Sequence, residues 1–77
     1  MRNTKSTDKS PSRLEQLVLD FLMKNGPSTS EGVREGLHKR HPMKEATART
    51  VLRRLEVKGY ATHTEQGRKD VYSGIQP

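Results

Sequence analysis

The chain contains no cysteine and no tryptophan. The first absence excludes a disulfide framework, a thiolate zinc site and a cysteine nucleophile, so stability has to come from packing alone. Aromatic residues are scarce: Phe21, Tyr60 and Tyr72 are the whole set. Three aromatics offer a poor platform for stacking unpaired bases, which argues against single-stranded nucleic acid as a partner. No apolar run approaches the roughly 18 residues of a membrane span, and the start of the chain, Met1 to Pro11, has no signal-peptide core. A soluble, cytoplasmic protein without membrane contact is expected. Large hydrophobic residues are also few. Leu, Ile, Val and Phe make up 14 of 77 residues, a share near that of disordered chains, in a sequence of net charge +6. A chain this short forms one small domain at most, which leaves little room for a catalytic cleft.

Placement decides whether so lean a sequence folds. Residues 1–11 hold Arg2, Lys5 and Lys9 against Asp8 and, after Met1, nothing apolar. They are expected to form a disordered basic arm ahead of a domain at 12–74 and a short tail at 75–77. Ser12 and Glu15 have the spacing of a capping box, and Leu14, Leu17, Val18, Phe21 and Leu22 follow in one stripe of helical period. Asn25, Gly26 and Pro27 end that pattern, so a first helix is predicted over 13–24. Ser28 and Glu31 suggest a second capping box, with Val33 and Leu37 as a short apolar edge before Pro42. Gly32 and Gly36 weaken this helix by about 1 kcal/mol each relative to alanine and suit close approach of a neighbouring helix. From Glu45 to Lys58 a third stripe, Ala48, Val51, Leu52 and Leu55, predicts a third helix stopped by Gly59. Two short runs, 60–65 and 68–73, are rich in strand-forming residues and flank Gln66-Gly67, which predicts a β-hairpin.

Helix, helix, helix, hairpin is the order of a winged helix-turn-helix, an α+β and mainly helical fold. In such a fold the third helix enters the major groove of DNA. Half of the excess charge, +3, falls in residues 44–58. At 100° per residue the apolar stripe takes one side of that helix, while Ala46, Arg49, Thr50, Arg53 and Val57 cluster opposite. Base readout is therefore assigned to Ala46, Arg49, Thr50 and Arg53: a small residue for close approach, a hydroxyl and two guanidinium forks for guanine edges. Thr47, Arg54 and Lys58 lie on the flank and suit phosphates, and Arg68 and Lys69 at the hairpin tip suit a wing contact. A solvated helix face, and edge-strand protection at the tip, are the plain alternatives.

Other chemistries lack their patterns. Glu35, His38 and His41 recur every three residues, but Pro42 takes His41 out of helical geometry and His63 lies far along the chain, so no metal site or cofactor is expected. No nucleophile elbow or phosphate-cradling glycine loop is present, so the protein is not expected to be an enzyme. Sequence-specific binding of double-stranded DNA is the expected function. A winged-helix protein-interaction module is the alternative, ahead of a basic helix for membrane surfaces or RNA.

Glu15 to Ser73 resembles the DNA-binding half of the penicillinase repressor family, the BlaI/MecI/CopY group. The resemblance is carried by Thr47 to Leu55, then Lys58-Gly59-Tyr60, and later Gly67-Arg68 with Val71-Tyr72-Ser73. It implies a bacterial transcriptional repressor that binds a palindromic operator as a homodimer, with Thr47, Arg49 and Thr50 facing the operator. The family's helical dimerisation region has no counterpart before Pro77, so this chain alone is expected to be monomeric or weakly associating. Met43, Lys44 and Glu45 replace the family's usual aromatic-Ser-Pro start, which predicts a third helix without an N-cap side chain. Ala46 stands where the family often has a polar or basic residue.

Overall fold

The computed structural model describes residues 10–75, and most of the basic arm expected at 1–11 lies outside them. Three helices, α1 (Arg13–Asn25), α2 (Ser30–Gly36) and α3 (Glu45–Val57), precede two strands, β1 (Ala61–Gln66) and β2 (Lys69–Gly74). The mainly helical α+β fold is the one expected.

Both ends of α1 are closed by local chemistry. The Ser12 hydroxyl accepts from the Glu15 amide at 3.2 Å, while the Glu15 carboxylate accepts from the Ser12 amide at 3.0 Å. Gly26, at φ 87°, turns the chain out of the helix and donates its N–H to the Leu22 carbonyl. The buried arc of α1 is rotated from the expected stripe. Glu15, Val18, Leu19 and Leu22 are buried, whereas Leu14, Leu17 and Phe21 are half-buried. The cause is tertiary: α1 packs against α3 and β2, and its other flank meets only the short α2.

The N-cap of α2 is Thr29, whose hydroxyl accepts from the Gly32 amide at 3.0 Å, in place of the expected Ser28. Ser28 has a different partner. Its backbone exchanges two hydrogen bonds with Tyr72, N to O at 2.9 Å and O to N at 2.8 Å, which attaches the hairpin to the α1–α2 connection. Gly36 lets α1 and α2 approach closely, as expected. A Cβ there would run into the Phe21 ring.

Lys44 precedes α3 without a side-chain cap, and the helix buries Ala48, Val51, Leu52 and Leu55, the four residues of its stripe. Gly59, at φ 90°, then redirects the chain into β1. The strands pair antiparallel from Ala61↔Gly74 to Gln66↔Lys69, so the two-residue turn is Gly67-Arg68, one position later than Gln66-Gly67. Gly67, at φ 63°, takes the first loop position, where a type II′ turn needs glycine. Only Ala61 and Tyr72 of the hairpin are buried. They join Val18, Leu19, Leu22, Val33, Leu37, Val51, Leu52 and Leu55 in one core.

Candidate nucleic-acid interface

The face of α3 opposite the core is open. Ala46, Arg49, Thr50 and Arg53 are all exposed, with Arg54 beside them and Thr47 half-buried on the flank. Arg49 and Arg53 border a groove of about 400 Å³ between α3, the start of α2 and the hairpin tip, and Arg68 and Lys69 border it from the wing side. The fold therefore gathers four of the sequence-predicted cations around one concavity. Three carboxylates, Glu31, Glu45 and Asp70, share its walls.

Two of those cations are paired. Arg49 reaches Glu45 at 3.3 Å, one turn earlier on the helix, and Lys69 reaches Glu31 at 3.5 Å across the groove. Such exposed pairs contribute only about 0–1 kcal/mol each, so a phosphate can displace either carboxylate at small cost. Among the described residues Arg53, Arg54 and Arg68 make no ion pair.

Lys58 is placed differently from the other flank residues. Its ammonium donates to Glu15 Oε1 at 2.6 Å and to the Ser10 carbonyl at 3.3 Å. Glu15 is only 3% exposed. Burial on its own pushes that carboxyl up. The Lys58 hydrogen bond and charge, the Ser12 amide and the charge of Arg54 together outweigh burial and hold it below the ordinary glutamate value. Glu15 thus closes the first turn of α1 and fastens it to the end of α3. In the sequence it reads as a capping residue only. Its place on the Val18, Leu19, Leu22 arc is the one signal of burial, and its partner lies 43 residues away.

A second polar assembly fixes the wing. The His63 imidazole Nδ1 lies 2.7 Å and 2.9 Å from the two Glu56 carboxylate oxygens, joining β1 to α3. The same ring stands 5.2 Å from that of Tyr72. Burial, with help from Glu56 and Asp70 and against Arg53, pushes the Tyr72 phenol up. It stays protonated at neutral pH. A two-stranded hairpin is marginal in isolation, and these contacts with the Ser28 bridge hold it to the body of the domain. Sequence reasoning missed both roles, since His63 and Tyr72 are opposite each other only once the strand register is known. No three His, Asp or Glu side chains converge as metal ligands among the described residues. No helix there is long and apolar enough to cross a membrane.

Three helices, an antiparallel hairpin and a solvent-facing third helix define a winged helix-turn-helix domain. The profile of the family described as Penicillinase repressor matches residues 11–77, and the chain belongs to this family of transcriptional repressors. Comparison with curated protein sequences finds no match. Among solved structures, a chain from a study entitled "Structural insights into the DNA recognition and protein interaction domains reveal fundamental homologous DNA pairing properties of HOP2" superposes with a TM-score of 0.73. The likeness covers 79% of this chain and 97% of that one at 22% identity, and it concerns the fold alone.

Proposed function

We propose that this domain binds double-stranded DNA sequence-specifically, as the operator-reading part of a bacterial repressor working in the cytoplasm. In this reading α3 lies in the major groove. Arg49 and Arg53 address guanine O6 and N7, Thr50 reaches a base edge or a thymine methyl, and Ala46 lets the backbone come close. Thr47 and Arg54 take phosphates beside the groove, and Arg68 and Lys69 take phosphates or the minor groove from the wing. A palindromic operator and a homodimeric full-length repressor complete the reading, in keeping with the family. The observation that carries it is the joint exposure of Arg49, Thr50 and Arg53 on one face of α3, with the basic wing tip across the same groove. The DNA recognition named for HOP2, a protein of like fold, agrees with it.

Titrating a duplex into the labelled domain while following amide resonances tests the assignment. Shifts at Arg49, Thr50, Arg53 and the 67–69 turn are expected. Shifts confined to the groove between α1 and the end of α2, around Lys24 and Arg40, would refute it. Arg53→Ala should reduce the preference between a selected and an unrelated duplex by about tenfold, the scale of one bidentate base contact. Glu45→Gln should act in the other direction, because it removes a carboxylate from the phosphate path and frees Arg49. A gain of roughly two- to fivefold in affinity at low salt is expected, corresponding to one exposed pair. An unchanged or weaker affinity by fluorescence anisotropy would show that Glu45 orients Arg49 productively.

One observation favours the second reading, a protein-interaction module. Val57 is 80% exposed and borders a shallow patch with Thr50, Arg53 and Arg54. Stable self-association abolished by Val57→Ser, together with no DNA-induced shifts at low salt, would establish that reading instead.

A further inference from the structure

A second groove, of about 540 Å³, lies between α1 and the end of α2. It shares no residue with the groove at α3, because α2 borders that one with Ser30 and Glu31 at its start and this one with Gly36 at its end. Its floor is the part of the α1 stripe that the core leaves uncovered. Leu17 and Phe21 line it half-buried, one turn apart, whereas Val18, Leu19 and Leu22 are buried in the core. Gly36 makes room for this floor: the Phe21 ring occupies the place where a Cβ at position 36 would stand.

The rim is basic. Lys24, Lys39 and Arg40 border the groove, all exposed, and none of them makes an ion pair among the described residues. The one carboxylate there, Asp20, already accepts from the Gln16 amide at 2.8 Å. The turn that carries Lys39 and Arg40 is ordered by the Leu37 carbonyl, which accepts from the N–H of Arg40 at 3.1 Å and of His41 at 2.7 Å. An apolar floor inside a charged rim is the make-up of a protein interface, and a trough between two helices suits a third helix. Phosphates would match the rim but would lay a polar backbone over Leu17 and Phe21, so nucleic acid suits this groove poorly. A second copy of the chain suits it no better, since Glu15, Glu31, Glu35, Glu45 and Glu56 each engage a basic side chain of their own.

We propose that this groove binds an acidic amphipathic helix of a protein partner. Its apolar side chains cover the floor of Leu17 and Phe21, and its carboxylates meet Lys24, Lys39 and Arg40 at the rim. The site goes beyond duplex binding and does not depend on it. Because the two grooves open at opposite ends of α2, the outward face of α3 stays uncovered while the partner is seated.

Three labelled peptides test the site on the 77-residue chain at low salt. The first is an amphipathic helix with leucines at i, i+3, i+4 and i+7 and glutamates beside them. The second has glutamines in place of the leucines, and the third has lysines in place of the glutamates. By fluorescence anisotropy the first should bind about tenfold more tightly than the second, the worth of one well-covered leucine, and the third should not bind. Amide shifts are expected at Leu17, Phe21, Lys24 and residues 36–40. Lys24→Gln, Lys39→Gln and Arg40→Gln combined should weaken the first peptide by about tenfold and leave thermal unfolding as in the parent. Equal binding of the first and second peptides would overturn the proposal, because it would mean charge attraction without an apolar seat. An undiminished affinity in the triple variant would overturn it too, as would shifts confined to α3 and the 67–69 turn. A loss of duplex affinity in the triple variant as large as the loss of peptide affinity would assign the rim to DNA phosphates instead.

Discussion

Leu52→Ala is expected to remove about 2–5 kcal/mol, a large part of the stability of the domain. Leu52 is fully buried, on the side of α3 that faces the core with Ala48, Val51 and Leu55. Truncating a buried leucine removes its transfer free energy and leaves a cavity, together about 2–5 kcal/mol. At roughly 0.05–0.15 kcal/mol per residue, a domain of this length has only about 3–10 kcal/mol to lose. The core is built from leucines, valines, Ala48, Ala61 and Tyr72 and has no tryptophan, so little spare bulk is at hand to fill the void. Circular dichroism and the spread of amide resonances would follow the loss. Val57→Ala removes a side chain of similar kind from the opposite face of the same helix, where it is 80% exposed, and should change stability by less than about 0.5 kcal/mol. The contrast between two aliphatic residues five positions apart separates core from surface on α3. Comparable destabilisation by both would mean that the outward face is covered, as the protein-interaction reading requires.

The same contrast explains how much of the molecule was legible in advance. The stripe of α3 is a clean helical repeat on a helix with one buried side, so its sequence spacing alone identifies the four buried residues and the exposed Arg49, Thr50 and Arg53. On α1 the repeat misled by about a quarter turn. Leu14, Leu17 and Phe21 are as apolar as Leu19, and only the arrival of α3 and β2 on one side decides which of them are covered. Ser28 and Thr29 could each cap α2. The choice depends on Tyr72, which engages the Ser28 backbone from a strand more than 40 residues away and leaves Thr29 to the helix. The turn slipped by one residue for a local reason: both registers put Ala61 and Tyr72 on one face, and the positive φ that a two-residue hairpin turn needs at its first position falls to Gly67, not Gln66. Candidate site residues follow the same rule. Exposure on one helix face is legible from spacing, whereas Glu15, His63 and the seat of Lys58 are long-range pairs that spacing cannot reveal. Electrostatics sharpened the picture as well. The basic segment 44–58 is one in composition, but in space Arg49 is paired at the surface, Arg53 and Arg54 face solvent, and Lys58 is tied into the structure.

Lys58→Met is expected to destabilise the domain by about 2–3 kcal/mol, below the 3–5 kcal/mol of a fully buried pair because Lys58 keeps some contact with water. The loss comes mainly from the carboxylate left behind. Glu15 is almost completely buried, and without the ammonium only the Ser12 amide and the charge of Arg54 oppose its desolvation. Adding Glu15→Gln should therefore restore most of the stability, since a neutral amide is cheaper to bury and still accepts from the Ser12 N–H. The pH dependence distinguishes this account from a simple loss of packing. In the parent the folded carboxyl sits below its unfolded value, so the contribution of the pair is complete above the unfolded glutamate range and fades as pH falls through the lowered folded value. In Lys58→Met burial prevails and the folded value rises above the unfolded one. Protonation then favours the folded state, and that variant should gain relative stability on acidification while the parent loses it. Denaturant midpoints between pH 7 and pH 3 for the parent, Lys58→Met and the double variant would show opposite slopes for the first two from this residue and no Glu15-linked slope in the third. A uniform offset at every pH would mean that Lys58 stabilises the domain through its methylene stem, not by holding the charge on Glu15.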